Sequence, residues 1–176
     1  MNATLGRAAW AIAPVLAAGL VHVGVLKTDL LSGLAIPLDH GRGLWGSNKT
    51  LRGLLLMPAA TAVAVVVQGR LERRVPPLAE LSLLEGRWKW GALLGLAYIG
   101  AELPNSFAKR RLGIPAGQAG GPVQYMVDQG GSVLGCLLAL HLLARPPRRI
   151  LVTAAGLGLA AHMGVDLLMR GLSLRR

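Results

Sequence analysis

The sequence predicts an all-α polytopic membrane protein with about five transmembrane helices and polar loops that form a site at one membrane face. Of the 176 residues, 53% are hydrophobic and only 15% are charged, whereas a soluble domain usually carries about a quarter charged residues. The apolar residues are also gathered into long runs, and a helix needs about 20 such residues to cross a bilayer. We expect residues 1–176 to form a single domain without a separate soluble module.

Five apolar stretches are the candidate membrane helices. They cover residues 8–26, 54–68, 90–103, 127–143 and 150–169. Arg7 is the only basic residue before the first stretch, and further spans follow it, so we interpret this stretch as a retained helix rather than a signal peptide. The third is the least apolar, because it runs into Glu102 and Pro104.

The charge pattern argues for a membrane or polyanionic partner. The net charge is +11, with 19 Lys and Arg against 8 Asp and Glu. The basic residues lie between the apolar runs, where they can face lipid headgroups or a polyanionic substrate, so we expect no nucleic acid partner. The two membrane faces are almost equally basic, and the positive-inside rule therefore leaves the orientation open. The single cysteine, Cys136, excludes an intrachain disulfide and a cysteine metal cluster.

The first polar segment, residues 37–53, has the composition of a phosphate site. Its glycines permit unusual backbone angles, and Asn48, Lys49, Thr50 and Arg52 stand where the second helix is expected to begin. Backbone N–H groups at a helix start, together with cations, bind phosphate. The spacing is not that of a Walker motif. A basic interfacial loop that holds lipid phosphates is an equally good interpretation of these residues alone.

The second polar segment, residues 102–128, places Glu102 and Asp128 at the edges of apolar helices with three cations between them. A charged side chain costs about 2.5–3.5 kcal/mol at the membrane centre and less near its edge, so such carboxylates are functional candidates. Two of them beside cations could hold Mg²⁺ against a triphosphate, since Mg²⁺ favours a few carboxylates plus phosphate oxygens. The alternative is that Glu102 simply pairs with Lys109 or Arg110.

A third polar row lies on the last predicted helix. His162, Asp166 and Arg170 recur every four residues and therefore share one helix face. We interpret the row as an internal salt bridge near a helix end, with Arg170 extending to the interface. A polar stripe that faces the site, or a contact with lipid phosphate, is the alternative.

Two motifs carry a resemblance to known families. The run Ser106-Phe-Ala-Lys109-Arg110-Arg111 resembles the Ser-x-x-Lys-Arg signature that phosphatidate cytidylyltransferases and CDP-archaeol synthases share. The pattern Asp39-x-Gly-Arg42, followed by Gly46-x-x-Lys49-Thr50-x-Arg52-Gly53, is similar to the CDP-archaeol synthase family in particular. The small size and the five apolar stretches fit the same family.

The resemblance implies that the chain transfers CMP from CTP to an archaeol-type or related lipid phosphate, with Mg²⁺ as cofactor, and leaves a CDP-lipid and pyrophosphate. It implies that Glu102 and Asp128 hold the metal and act in catalysis together with Lys109. The residues that it places on CTP are Asp39, Arg42, Lys49, Thr50, Arg52, Ser106, Lys109 and Arg110. Because CTP is cytosolic, we expect a multi-pass plasma membrane protein with cytoplasmic motif loops and an outer N-terminus.

The sequence departs from the family pattern in two places. Residues 46–49, Gly-Ser-Asn-Lys, lack the acidic residue that often precedes this Lys-Thr pair, and Glu102 stands where aspartate is usual. These departures favour an alternative, namely a non-catalytic membrane scaffold or lipid-binding protein of the same fold. The residues on the apolar helix faces do not indicate whether the lipid substrate carries ether-linked isoprenoid chains or ester-linked acyl chains.

Overall fold

The structure, a computed structural model, describes residues 3–118 and 120–171, with the side chains of the last helix described as far as residue 167. Within these residues the chain forms five long helices, namely α1 (Ala3–Lys27), α2 (Leu51–Arg74), α4 (Trp88–Arg111), α5 (Pro122–Ala144) and α6 (Arg148–Gly171), besides the short helix α3 (Pro76–Ala79) and a 3₁₀ turn at Ser32–Leu34. They contain no strand, only an isolated antiparallel bridge between Pro37 and Thr50. The predicted all-α polytopic fold is confirmed.

Four of the described helices, α1, α2, α5 and α6, are long and apolar enough to cross a membrane. Helix α4 has 24 residues, which corresponds to about 36 Å, so it is long enough to span a bilayer but is less apolar than the other four. It continues through Pro104, so it is longer than the apolar stretch at 90–103 that the sequence indicates. A proline inside a membrane helix is tolerated where neighbouring groups satisfy the freed backbone. The second half of α4 is polar, because it carries the residues of the second motif.

Helix α4 packs against three of the other long helices. It contacts α1, α2 and α5, and the contact between α1 and α6 closes the ring of helices. Glycines allow the close approach: a Cβ atom on Gly95 would lie 2.6 Å from Pro58 Cα, and one on Gly135 would lie 2.7 Å from the Ala97 carbonyl oxygen. Small residues at helix contacts are typical of membrane bundles. They fix α4 against α2 and α5, the two helices that border the polar segments.

The two ends of the bundle are built differently. One end carries the polar segments at residues 28–50 and 112–121, and the other carries the connections at 75–87 and 145–147. At the latter end, Trp10 Nε1 and Ser82 Oγ each donate a hydrogen bond of 2.8 Å to the buried carboxylate of Glu72. Leu84, which is 1% exposed, anchors the same connection in the hydrophobic core. Glu72 therefore ties α1, α2 and this connection together, away from both motifs.

Candidate active site

The first polar segment folds into a loop that closes on itself in front of α2. The Leu38 N–H donates to the Lys49 carbonyl oxygen at 2.8 Å, and the Leu51 N–H donates to the Ile36 carbonyl oxygen at 2.9 Å. Thr50 is the N-cap of α2, and its hydroxyl accepts a hydrogen bond from the Gly53 N–H at 3.4 Å. This closure brings Lys49 to the point where the helix begins.

Asp39 organises that loop from within. Its carboxylate is 4% exposed and accepts hydrogen bonds from the N–H groups of Leu44 at 2.7 Å, Trp45 and Gly41 at 3.0 Å, and Gly46 at 3.4 Å. The hydrogen bond from Trp45, followed by those from the other three amides, holds the pKa of Asp39 below its usual value. Asp39 does not line the cleft described below, so the structure places it behind the site.

Two lysine–carboxylate pairs bring the motifs together. Lys49 Nζ, from the first motif, donates to Glu102 Oε2 on α4. Lys109 Nζ, also on α4, donates to Asp128 Oδ2 on α5 at 2.7 Å. The expected alternative, a pairing of Glu102 with Lys109 or Arg110, is therefore not what the structure shows. Residues 49 and 102 are distant in sequence, and only the packing of α2 on α4 makes them neighbours.

Amide side chains hold the second carboxylate in place. Asn105 Nδ2 donates to Asp128 Oδ1 at 2.7 Å, and Gln124 Nε2 donates to Asn105 Oδ1 at 2.7 Å. Gln124 Nε2 also donates to Asp128 Oδ1 at 3.3 Å, so one oxygen of Asp128 is engaged by an ammonium group and the other by two amides. Such a connected network fixes the position of the carboxylate before any ligand binds.

These groups line a polar cleft of about 140 Å³ between α4, α5, α6 and the polar segments. Five of the predicted site residues lie in it, namely Lys49, Glu102, Ser106, Lys109 and Asp128. Asn48, which the sequence places in the phosphate segment, and His162, for which a stripe facing the site was the alternative, also line it. So do Asn105, Gln118, Tyr125 and Gln129, which the sequence did not assign to the site. Asn105 and Gln129 are next in sequence to predicted site residues, and this proximity could have indicated them. Gln118 lies in an irregular segment, where nothing in the sequence indicates a place in the site.

The remaining predicted residues lie outside the cleft. Arg42 is exposed, and Thr50 caps α2. Arg52 is buried and donates to the Leu30 carbonyl oxygen at 3.2 Å. Arg110 approaches Gly46, since its Nη1 lies 3.0 Å from the position that a Cβ atom on Gly46 would take. The Nε atoms of Arg52 and Arg110 are buried and have no hydrogen-bond partner in the described part of the chain, and the same is true of Arg7 Nε, which belongs to neither motif.

The polar row on α6 joins the site rather than standing apart from it. His162 Nδ1 is 2.7 Å from Gln129 Oε1, and its Nε2 is 2.9 Å from the Tyr98 hydroxyl. The Tyr125 hydroxyl donates to Asp166 Oδ2 at 3.1 Å. These contacts connect α6 to α4 and α5. His162 therefore agrees with the alternative interpretation of the row, a polar stripe that faces the site. The side chain of Arg170 lies outside the described residues, so the predicted salt bridge stays a prediction.

The comparisons with known proteins agree with the two motifs. Residues 8–176 match the family model described as CarS-like, CDP-archaeol synthase. A curated CDP-archaeol synthase from Methanopyrus kandleri is 32% identical over 168 residues, which cover 90% of this chain and 84% of that protein. No solved structure gives a significant match. Since the family model spans nearly the whole sequence, the chain belongs to the CDP-archaeol synthase family.

Proposed function

We propose that this protein transfers CMP from CTP to a lipid phosphate and so forms a CDP-lipid and pyrophosphate. Membership of the family makes it a CTP-dependent cytidylyltransferase embedded in the membrane. The observation that carries the proposal is the pairing of Lys49 with Glu102 and of Lys109 with Asp128 in one cleft. Scaffolding would require no such concentration of opposite charges where an apolar helix meets the polar end of the bundle.

The cations of both motifs supply the contacts for the triphosphate in this proposal. Lys49 and Lys109 can exchange their carboxylate partners for phosphate oxygens without leaving the cleft. Arg52 and Arg110 each carry a buried Nε atom without a hydrogen-bond partner among the described residues, and a guanidinium group suits phosphate geometry. Ser106 lines the cleft and can donate its hydroxyl hydrogen. Arg42 and Thr50 lie further out and would need the loop to close over the nucleotide.

The carboxylates fit a divalent cation, for which we propose Mg²⁺. Among the described residues, no three or more His, Cys, Asp or Glu side chains lie close enough together to hold a metal ion by themselves. Mg²⁺ does not need such a group, because it binds through one or two carboxylates together with substrate phosphates and water. Glu102 and Asp128 line the same cleft and would hold it. The ion would neutralise phosphate charge and orient the two substrates.

The reaction requires positioning and charge stabilisation from the protein. An oxygen of the lipid phosphate attacks the α-phosphorus of CTP in line, a new P–O bond forms, and the bond to the β-phosphate oxygen breaks to release pyrophosphate. The attacking oxygen is already ionised, so no side-chain nucleophile or general base is needed. Lys49 and Lys109 stabilise the negative charge that accumulates on the phosphates. Asn105 and Gln124 keep Asp128 oriented before the substrates bind.

An archaeol-type lipid is the acceptor that the relatives favour. The curated relative from Methanopyrus kandleri is named a CDP-archaeol synthase, and we propose an ether-linked isoprenoid glycerol phosphate, or a related lipid, for this chain. We also propose that the protein lies in the plasma membrane with both motif segments in the cytoplasm, where CTP is available. With five spanning helices the N-terminus then lies outside.

Incorporation of radiolabelled CTP into lipid tests the proposed function. Purified protein with Mg²⁺ is given ether-linked isoprenoid and ester-linked acyl glycerol phosphates side by side, and we expect label in the ether lipid. Label in the acyl lipid alone would support the proposed reaction but show that the acceptor is an ester-linked lipid phosphate. Absence of label with every acceptor would contradict the proposal and favour the non-catalytic scaffold.

A further inference from the structure

An apolar groove of about 330 Å³ opens between α1 and α6. Gly19 and Leu20 of α1 line it together with Ala161 and Val165 of α6, and Met57 and Tyr98 lie at its inner side. Leu20 is 64% exposed, so the groove faces the outside of the bundle, where the bilayer lies. The lining is mostly apolar; its polar groups are the Tyr98 hydroxyl, His22, His162 and Asp166, and the Asp166 carboxylate accepts a hydrogen bond from Tyr125.

The groove meets the cleft at His162. His162 lines both cavities, and its hydrogen bonds to Gln129 and Tyr98 hold the ring at the junction. His22 also lines the groove, and its ring is 3.7 Å from the position that a Cβ atom on Gly53 would take at the start of α2. The apolar groove therefore leads to the region where Lys49 and Glu102 stand.

We infer that the acceptor lipid enters the site sideways from the bilayer between α1 and α6. One of its chains lies in the groove, and its phosphate passes His162 to reach Lys49. This inference rests on the proposed function and adds the route and the place of the lipid. The lysines of the cleft match the phosphate, and the apolar groove matches the chain.

The groove acts by alignment rather than by attraction. A lipid chain is already in an apolar medium, so moving it against a protein surface brings no hydrophobic gain. What the groove contributes is a fixed direction of approach that holds the phosphate at the reacting distance. A side chain that fills the groove would exclude the lipid chain from it, so blocking the groove should raise the KM for the lipid and leave the binding of CTP intact.

Gly19 and Gly24 provide a matched pair of variants on α1. A Cβ atom on either glycine would meet nothing within 4 Å, so both positions accept a larger side chain without a clash. Gly19 lines the groove and Gly24 does not. We expect Gly19→Leu to raise the KM for the acceptor, measured in mixed micelles at varied lipid surface concentration, about tenfold or more, since the leucine side chain excludes the lipid chain from the groove. Gly24→Leu should behave like the wild type, and both variants should bind CTP normally.

Photocrosslinking gives a readout that does not depend on turnover. A lipid phosphate with a diazirine in its chain is expected to label peptides of α1 and α6 in the wild type and to lose this labelling in Gly19→Leu. Equal KM values for the two variants of an active enzyme, or labelling confined to other helices, would overturn the lateral route. Absence of transfer by the wild type would instead contradict the proposed function, while the crosslinks would still decide where the lipid lies.

Discussion

At the residue scale, the site is held in a charge-balanced state by its own lysines. Each carboxylate that we assign to the metal already has an ammonium partner, Lys49 for Glu102 and Lys109 for Asp128. A partly buried carboxylate without a cation would be costly at this depth. In the proposed function, Lys49 and Lys109 would contact phosphates while Glu102 and Asp128 would hold the metal, so that neither carboxylate would be left without a positive partner. Metal and CTP should therefore bind together more readily than either does alone.

Removing one carboxylate charge tests this arrangement. We expect Glu102→Gln and Asp128→Asn each to lower the rate of CMP transfer at least about a hundredfold, because the size of the side chain is kept while the negative charge that would hold the metal is lost. The assay is incorporation of labelled CTP into lipid. Glu80→Gln, at an exposed position on the other end of the bundle, is the control and should keep full activity. A scaffold protein would tolerate all three changes.

Asp39 contributes to the site by ordering its loop, and its effect should follow pH in a defined direction. The folded pKa of Asp39 is lowered by the amides of Trp45, Gly41, Gly46 and Leu44. Its stabilisation is therefore fully present above the pKa of an unfolded aspartate, about 3.9, and is lost as the pH falls through the lower folded value. Near neutral pH the loop should remain ordered.

The variant Asp39→Asn should loosen this loop at neutral pH. One carboxylate oxygen becomes an NH₂ group that cannot accept from the backbone, so we expect faster hydrogen exchange at Leu44 and Trp45 and a several-fold weaker affinity for CTP. Hydrogen exchange followed by mass spectrometry gives the measurement. Asp29→Asn, whose side chain is 79% exposed, should leave the exchange of both amides unchanged. Unchanged exchange in Asp39→Asn would show that the loop does not depend on the carboxylate.

At the scale of the element, α4 matters most, because it carries site residues and packs against three other helices. Its first half is apolar and rich in glycine, and it packs on α2 and α5. Its second half carries Glu102, Asn105, Ser106 and Lys109. The close packing of the first half therefore fixes where the second half of the helix lies, and with it the side chains that line the cleft.

Gly95→Val should disturb this packing. The new Cβ would lie 2.6 Å from Pro58 Cα and 2.7 Å from the Met57 carbonyl oxygen, and backbone atoms cannot move aside as a side chain can. Overpacking of this kind costs about 1–3 kcal/mol, and we expect a lower Tm in detergent together with weaker CTP binding. Gly100→Val on the same helix, where a Cβ meets nothing within 4 Å, should leave both unchanged. Equal Tm values would contradict the proposed helix contact.

At the scale of the whole molecule, the two ends of the bundle have different tasks. The end with residues 28–50 and 112–121 carries the cleft, and the other is closed by Glu72 and Leu84 without any residue of either motif. Lys and Arg are almost evenly divided between the two membrane faces that the sequence predicts, so charge gives no preferred orientation. The cytoplasmic placement of the cleft follows only from the proposed use of CTP.

Cysteine labelling decides this orientation. In a Cys136→Ala background we expect Ser47→Cys, in the exposed part of the first loop, to react with a membrane-impermeant maleimide in inverted vesicles and not in intact cells. Glu80→Cys, exposed at the other end, should show the reverse. The opposite result would place the cleft outside the cell and remove it from the supply of CTP.

The sequence by itself determined the helices, the two polar motifs and the family. The length and composition of an apolar run are local properties, and a bilayer demands helices wherever such runs occur. All five predicted stretches are therefore found inside α1, α2, α4, α5 and α6. Lys49, Glu102, Ser106, Lys109 and Asp128 were also assigned to one site from their motifs, and the structure places them in one cleft.

Only the tertiary structure decided which of these groups meet. Glu102 pairs with Lys49 of the other motif rather than with a cation of its own helix, because the packing of α4 on α2 sets the distance. Asp39 turns into its own loop, and His162 on the last helix joins the cleft to the apolar groove. Such contacts depend on the rotation and spacing of helices distant in sequence, and no periodicity or motif within one segment contains that information.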